Sequence, residues 1–299
     1  MKIKYFIYMA VVCLSWVILA FVNDKPAYRI YNAKGKESNY SEIIAAAEKA
    51  DIVFFGEMHD NPICHWLELE ITKDLYKKKK QDFILGAEMF ESDNQLILDE
   101  YLTGKIKSQS FSEGASLWPN YKTDYKPIIE FAKENKIKFI ASNVPRRYAA
   151  IVNSKGFGGL DSLTVDAKKY IAPLPIKYDP TVKCYKDMLE MGGMGMKTTD
   201  SIKKTYENLP KAQAIKDATM AYFILQNWSK GKQIFHFNGS YHSDFNEGIL
   251  LYIKQQNSAI KTLTISAVAQ SDIDSLSSDY RNQADFIICI PDDMTKTKF

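Results

Sequence analysis

The sequence predicts an α/β fold, a mainly parallel sheet flanked by helices, with a helical insertion or cap. Three observations carry that expectation. Short apolar runs such as Ile52-Val53-Phe54-Phe55, Phe83-Ile84-Leu85 and Phe139-Ile140-Ala141 alternate with stretches of helical periodicity, the order that right-handed βαβ units require. Polar residues of catalytic or ligand type follow directly on those runs, at the edge where open α/β sheets bind ligands. At 299 residues with 46% hydrophobic and 25% charged side chains, the chain can bury a full-sized core and does not read as disordered.

The elements follow in order. Lys2 and Lys4 precede an apolar run over residues 5–22 that only Ser15 interrupts. A basic stretch followed by an apolar one is the pattern of a secretory signal, and eighteen residues also suffice to cross a bilayer. Residues 1–22 are therefore a signal peptide or an uncleaved N-terminal membrane anchor, and the protein is expected to be exported to the periplasm or cell envelope. Val12 stands before Cys13 where lipid modification of a cysteine normally wants a small residue.

The α/β domain occupies residues 28–299. Residues 28–39 read as a strand or hairpin turning at Lys34-Gly35, and a helix capped by Ser41 covers 41–50. A strand over 52–55 ends in GEMHDNPICH. There Asn61 is the N-cap, and Pro62, with its fixed φ and missing N–H, is the first helical residue. That helix runs through Leu67, Leu69, Ile71 and Leu75 to lysines 77–80, cations that suit a helix C-terminus.

The strand 83–85 leads into GAEMFES, with Glu88 and Glu91, and a helix over 93–102 follows. An aromatic connection holding Phe111, Trp118 and Tyr121 precedes a helix over 126–134 and the strand 139–141, which ends in SNVPRRYA. Over residues 156–210 strands disappear while Gly, Pro, Met and Lys rise, the reading of a helical cap. Met188, Met191, Met194 and Met196 would give that cap an adaptable surface. A helix over 211–229, a strand over 233–237, a helix over 245–256 and strands over 262–268 and 286–290 complete the domain.

Composition narrows the function. A formal net charge of +3 is too small to imply nucleic acid, so none is expected. Cys64, Cys184 and Cys289 are too few and odd in number to form a disulfide framework.

The chemistry concentrates at four strand ends: Glu57 with His59, Glu88 with Glu91, Asn143 with Arg146 and Arg147, and His236 with Asn238 and His242. Neutral imidazoles and carboxylates hold Zn, Mn or Fe with positions left open. His59, Glu88 and His242 are the candidate metal ligands, and Glu57 is the base for a water acidified by the metal. Glu57, Glu88 and Arg147 are thus the candidate catalytic residues of a metal-dependent hydrolase acting on peptide or ester bonds. Arg146 and Arg147 follow Pro145, so guanidinium groups and free backbone donors face the crevice and favour an anion. A binding module for a small anionic molecule fits the same residues.

The segments GEMHDNPICH, EMFE, NVPRRYA, KAQAIKDATMAYFI and HFNGSYH, in this order over residues 51–290, resemble the ChaN-like haem-binding lipoproteins of the haem-binding uptake and Tiki superfamily. The resemblance implies an exported haem-binding protein accessory to iron or haem uptake, with haem held between the two subunits of a homodimer through tyrosine and histidine. The candidate cofactor-binding residues are His59, His65, Arg146, Tyr148 and His242, and the resemblance does not assign its haem-ligating tyrosine to a position. Cys64 departs from the pattern, standing where relatives often carry another histidine. The Tiki proteases and erythromycin esterase-like enzymes are similar only through G-E-x-H, the acidic strand end and the later histidine. Those branches imply hydrolysis with Glu57, His59, Glu88 and His242.

Overall fold

The computed structural model describes residues 25–193 and 206–298. The expected signal or anchor segment, Cys13, Met194 and Met196 lie outside the described residues, as does the side chain of Met191.

Among the described residues one eight-stranded sheet organises the chain. Its strands are β1 (Arg29–Asn32), β2 (Glu37–Ser38), β3 (Ile52–Glu57), β4 (Phe83–Glu91), β5 (Lys138–Asn143), β6 (Gln233–Gly239), β7 (Thr262–Gln270) and β8 (Phe286–Pro291). The spatial order is β2-β1-β8-β7-β3-β6-β4-β5. From β8 to β5 every pair is parallel, whereas β1 runs antiparallel to both β8 and β2. The mainly parallel α/β expectation is met. β3 and β6 are buried along their whole length, which is why they read as nearly continuous apolar runs.

The helices are α1 (Tyr40–Ala47), α2 (Pro62–Lys79), α3 (Gln95–Leu102), α4 (Ser108–Gly114), α5 (Lys126–Glu134), α6 (Arg146–Lys155), α7 (Val165–Lys168), α8 (Lys183–Gly193), α9 (Leu209–Asn227) and α10 (Ile249–Gln256). The cap of α2 is as read: Asn61 Oδ1 accepts from Ile63 N at 2.9 Å and Pro62 opens the helix. The cap of α1 is not Ser41 but Asn39, whose extended backbone lets Oδ1 accept from Glu42 N at 3.1 Å.

Three other elements differ from expectation. β4 extends to Glu91: its register with β6 and with β5 runs to Ala87, and Glu91 pairs again with Asn143 of β5 beyond a bulge, so the strand continues past Gly86 and through its acids. The aromatic connection contains α4 and a π-helical turn, Tyr121–Tyr125. The helix expected from 245 starts only at Ile249, since Phe245 and Asn246 take positive φ of 57° and 59°. The cap segment holds α7, α8 and a 3₁₀ stretch, Phe157–Ser162. It packs Leu160 and Ile171 against Val152 and Ile215 from α6 and α9.

Because the six central strands are parallel, the C-terminal ends of β3, β4, β5 and β6 open on one edge. β6, late in the chain, lies between β3 and β4, so its end meets theirs without any long loop.

Candidate functional site

β3 delivers Glu57, and its next turn delivers His59. Glu57 is buried, and its Oε1 accepts from His59 Nδ1 at 2.8 Å and from Tyr125 Oη at 2.6 Å. Burial opposes the charge on Glu57, but the hydrogen bond from His59 and the neighbouring His65 outweigh it and hold its pKa below the usual carboxylate range. For His59, burial pushes the pKa down, and the Glu57 hydrogen bond and the charge of Glu88 push it up further, so the net shift is upward. The His59 ring stands edge-on to Trp118, with centroids 4.8 Å apart.

β4 delivers Glu88, also buried. Its Oε1 lies 3.1 Å from His242 Nε2, and its Oε2 accepts from Gly239 N at 2.8 Å. His242 Nδ1 pairs with Asp217 of α9, and Tyr185 Oη donates to Asp217 Oδ2 at 2.8 Å. Burial alone would neutralise His242, yet the carboxylates of Glu88 and Asp217 overcome it and raise its pKa to about 9. Glu88 is pulled well below the ordinary carboxylate range, where His242, His59 and Lys216 outweigh its burial.

Gly239 ties the two pairs together. A Cβ at this position would come within 2.7 Å of His59 Nε2 and 3.4 Å of Glu88 Oε2, so the bare backbone is what admits the imidazole beside Glu88. A crevice of about 520 Å³ opens above them. Its walls include Trp118, Val144, Ala149 and Ala212; His59 and Glu88 lie on its floor, and Arg146 and Lys216 bring positive charge. Lys216 makes no side-chain hydrogen bond or ion pair among the described residues.

The predicted residues separate into groups. His59, Glu88 and Arg146 line the crevice, while Glu57 and His242 stand directly behind His59 and Glu88. Arg146 reaches it with its Nε 2.5 Å from Glu91 Oε1. Arg147 instead pairs with Asp93 at 2.6 Å, lies 4.5 Å from the centre of the Tyr148 ring, and is not among the lining residues; nor is Tyr148. His65 is buried in a separate cluster with Glu57 and Glu68. Among the described residues, those three are the His/Asp/Glu set whose ligand atoms lie within 4.8 Å of one another, whereas His59 of the expected metal set turns to Glu57. His236 is a core histidine held between Ser142 at 2.8 Å and Asn238 at 3.1 Å, and burial lowers its pKa to about 4.

Several site residues escaped the sequence reading. Asp217 carried a signal, as the acid buried within the apolar stretch of KAQAIKDATMAYFI. Glu68 carried one too, falling on the α2 face formed by Cys64, Leu67, Ile71 and Leu75. Trp118, Tyr125 and Lys216 carried none, because only the tertiary fold brings them to the crevice and the Glu57 cluster.

This architecture defines a class: an α/β protein with a crevice at the C-terminal edge of its parallel strands, floored by His59 and Glu88, each backed by a partner, Glu57 and His242. Residues 43–253 match the family described as "Haem-binding uptake, Tiki superfamily, ChaN", and the chain belongs to that family. Among solved structures, ChaN of Campylobacter jejuni, described with cofacial haem binding, superposes with a TM-score of 0.67 at 20% identity. That match covers 87% of this chain and 96% of that one. An erythromycin esterase mutant in its open conformation gives a TM-score of 0.47 at 9% identity over 89% of this chain and 83% of that one, a likeness too remote to bear on function. Protein RETICULATA-RELATED 5, chloroplastic, of Arabidopsis thaliana is 28% identical over 130 residues, 42% of this chain. The chain spans 17% of that relative's length.

Proposed function

We propose that the protein binds haem in the crevice, with His59 Nε2 as the iron ligand. The observation that carries the reading is the Glu57–His59 pair in the lining of the crevice: donation of Nδ1–H to a buried carboxylate fixes the ring and its tautomer and leaves the lone pair on Nε2 for iron. The donor set suits the group. Trp118, Val144, Ala149 and Ala212 offer apolar surface to a porphyrin face, and Arg146 and Lys216 offer cations to its carboxylates. Bound haem would supply a ferric centre, which His59 would ligate, and the chain's own part is to hold, orient and shield it.

Iron can bind His59 only after Nε2 gives up its proton, and Glu57 and Glu88 both favour the protonated ring. Haem affinity should therefore strengthen as pH rises above the ordinary histidine range. Titration of the full chain with haemin is expected to give a saturable Soret shift, weakened strongly in His59→Ala. A wild-type protein with no saturable shift would remove the proposal.

The same proposal includes export to the cell envelope, supported by the lysines and apolar run of residues 1–22, and a role accessory to iron or haem uptake, supported by family membership. It also includes pairing of two copies around haem, supported by the family likeness to a protein described with cofacial haem binding. A second reading, metal-dependent hydrolysis of a peptide or ester bond, rests on the direct contact of Glu88 and His242 behind the crevice floor. Turnover with added Zn²⁺ or Mn²⁺ that Glu88→Gln abolishes would favour it over haem carriage.

A further inference from the structure

We infer that the protein holds a second, interior cation site made by Glu57, His65 and Glu68, suited to a divalent transition metal such as Zn²⁺ or Mn²⁺. The three residues come from the end of β3 and from one face of α2, where positions 65 and 68 are neighbours. One ligand atom of each lies within 4.8 Å of the others, and all three side chains are buried.

Counting protons shows that the cluster is rich in lone pairs. His65 Nε2 lies 3.1 Å from the carbonyl oxygen of His59, which can only accept, so Nε2 carries the hydrogen and the neutral ring has its lone pair on Nδ1. Nδ1 faces Glu68 Oε2 at 3.4 Å and Glu57 Oε2 at 3.7 Å. Glu57 Oε2 and Glu68 Oε1 have no hydrogen-bond partner. Two further buried groups are unpartnered nearby: Thr72 Oγ1, one turn beyond Glu68 on α2, and Oδ1 of Asn120, whose amide donates to Asp124 at 2.8 Å. Asp124 Oδ2, 3.5 Å from His65 Nε2, adds another carboxylate. Among the described residues no lysine or arginine forms an ion pair with any of these acids.

Buried acceptors without donors are costly, and a cation among them satisfies several at once. Two carboxylate oxygens and one imidazole nitrogen are ligands that Zn²⁺ and Mn²⁺ accept. The outer contacts of His65 also fit, since a metal-bound imidazole commonly donates its other N–H to a carbonyl or carboxylate. Glu57 links this site to the crevice: Oε1 holds His59 and Tyr125, while Oε2 is left for the ion.

The test uses the untagged full chain, expressed with added Zn²⁺ or Mn²⁺, and the same protein stripped with chelator and reloaded with Co²⁺. Elemental analysis is expected to find stoichiometric metal. Glu68→Gln, nearly isosteric, should lower metal affinity by at least the roughly 10–100-fold that losing even an outer partner of a ligand costs, with the far-ultraviolet dichroism unchanged, whereas His242→Gln should keep the metal. X-ray absorption of the Zn²⁺-loaded wild type needs no variant and should report N/O ligands with a single imidazole. Folded wild type that takes up no metal by either route would overturn the site, leaving Glu57 and Glu68 to share a proton. Two imidazoles on the ion, or metal lost in His242→Gln and kept in Glu68→Gln, would overturn it as well by placing the ion in the crevice.

Discussion

At the scale of single residues, the site depends on charges that the interior tolerates only in pairs. His242 is the clearest case. Its folded pKa of about 9 stands above the ordinary 6.5, so the stabilisation it brings is complete below 6.5 and lost as pH rises to about 9. Chemical denaturation across that range should show wild-type stability falling toward that of His242→Gln, and a parallel pair of curves would contradict the assignment. Near neutral pH the same substitution should cost roughly 3–5 kcal/mol, because Glu88 and Asp217 lose the cation between them. Gly239→Ala tests the close approach from the other side. The added methyl must displace the His59 ring, so haemin affinity should drop sharply while the stability in chemical denaturation falls by no more than an overpacked core costs, about 1–3 kcal/mol. Of these residues Glu57, His59, Glu88 and His242 were legible in the sequence, because each follows a strand whose apolar run marks it. Asp217 and Glu68 left only an indirect trace, as acids on apolar helix faces, and Tyr125 left none, because each becomes a partner only once helices that are distant in sequence pack onto the sheet.

At the scale of elements, local chemistry and tertiary pairing divided the work. The start of α2 was readable to the residue, since an Asn followed by Pro has few other uses, and Asn61→Ala should cost about 1 kcal/mol in equilibrium denaturation. β4 was readable only in its first third. Gly86, Glu88 and Glu91 interrupt the apolar run; β5 and β6 hold Gly86 extended between them, and β5 alone holds Glu91, through Asn143 beyond a bulge. The late start of α10 was unreadable for a related reason. Asn246 tolerates positive φ but Phe245 has no preference for it, and a Cβ at Gly248 would collide with the carbonyl of His242. That crowding sets where the chain leaves the site and begins the helix.

At the scale of the whole molecule, the strand order explains why one crevice draws on distant segments. Insertion of β6 between β3 and β4 puts Gly239 and His242 beside Glu57, His59 and Glu88, an arrangement that strand and helix alternation alone could not reveal. If two copies close on haem, sedimentation should show the haem-loaded chain as a dimer and the haem-free chain as a monomer; a loaded monomer would refute the pairing. Both ends of the described chain return to this same edge. Arg29 pairs with Cys289 at the end of β8, Lys25 reaches Asp293, and Thr297 N donates to the carbonyl of Asp60, the residue after His59. A polyhistidine tag fused at the C-terminus would therefore hang close to His59 and the mouth of the crevice and offer foreign imidazoles to any iron held there.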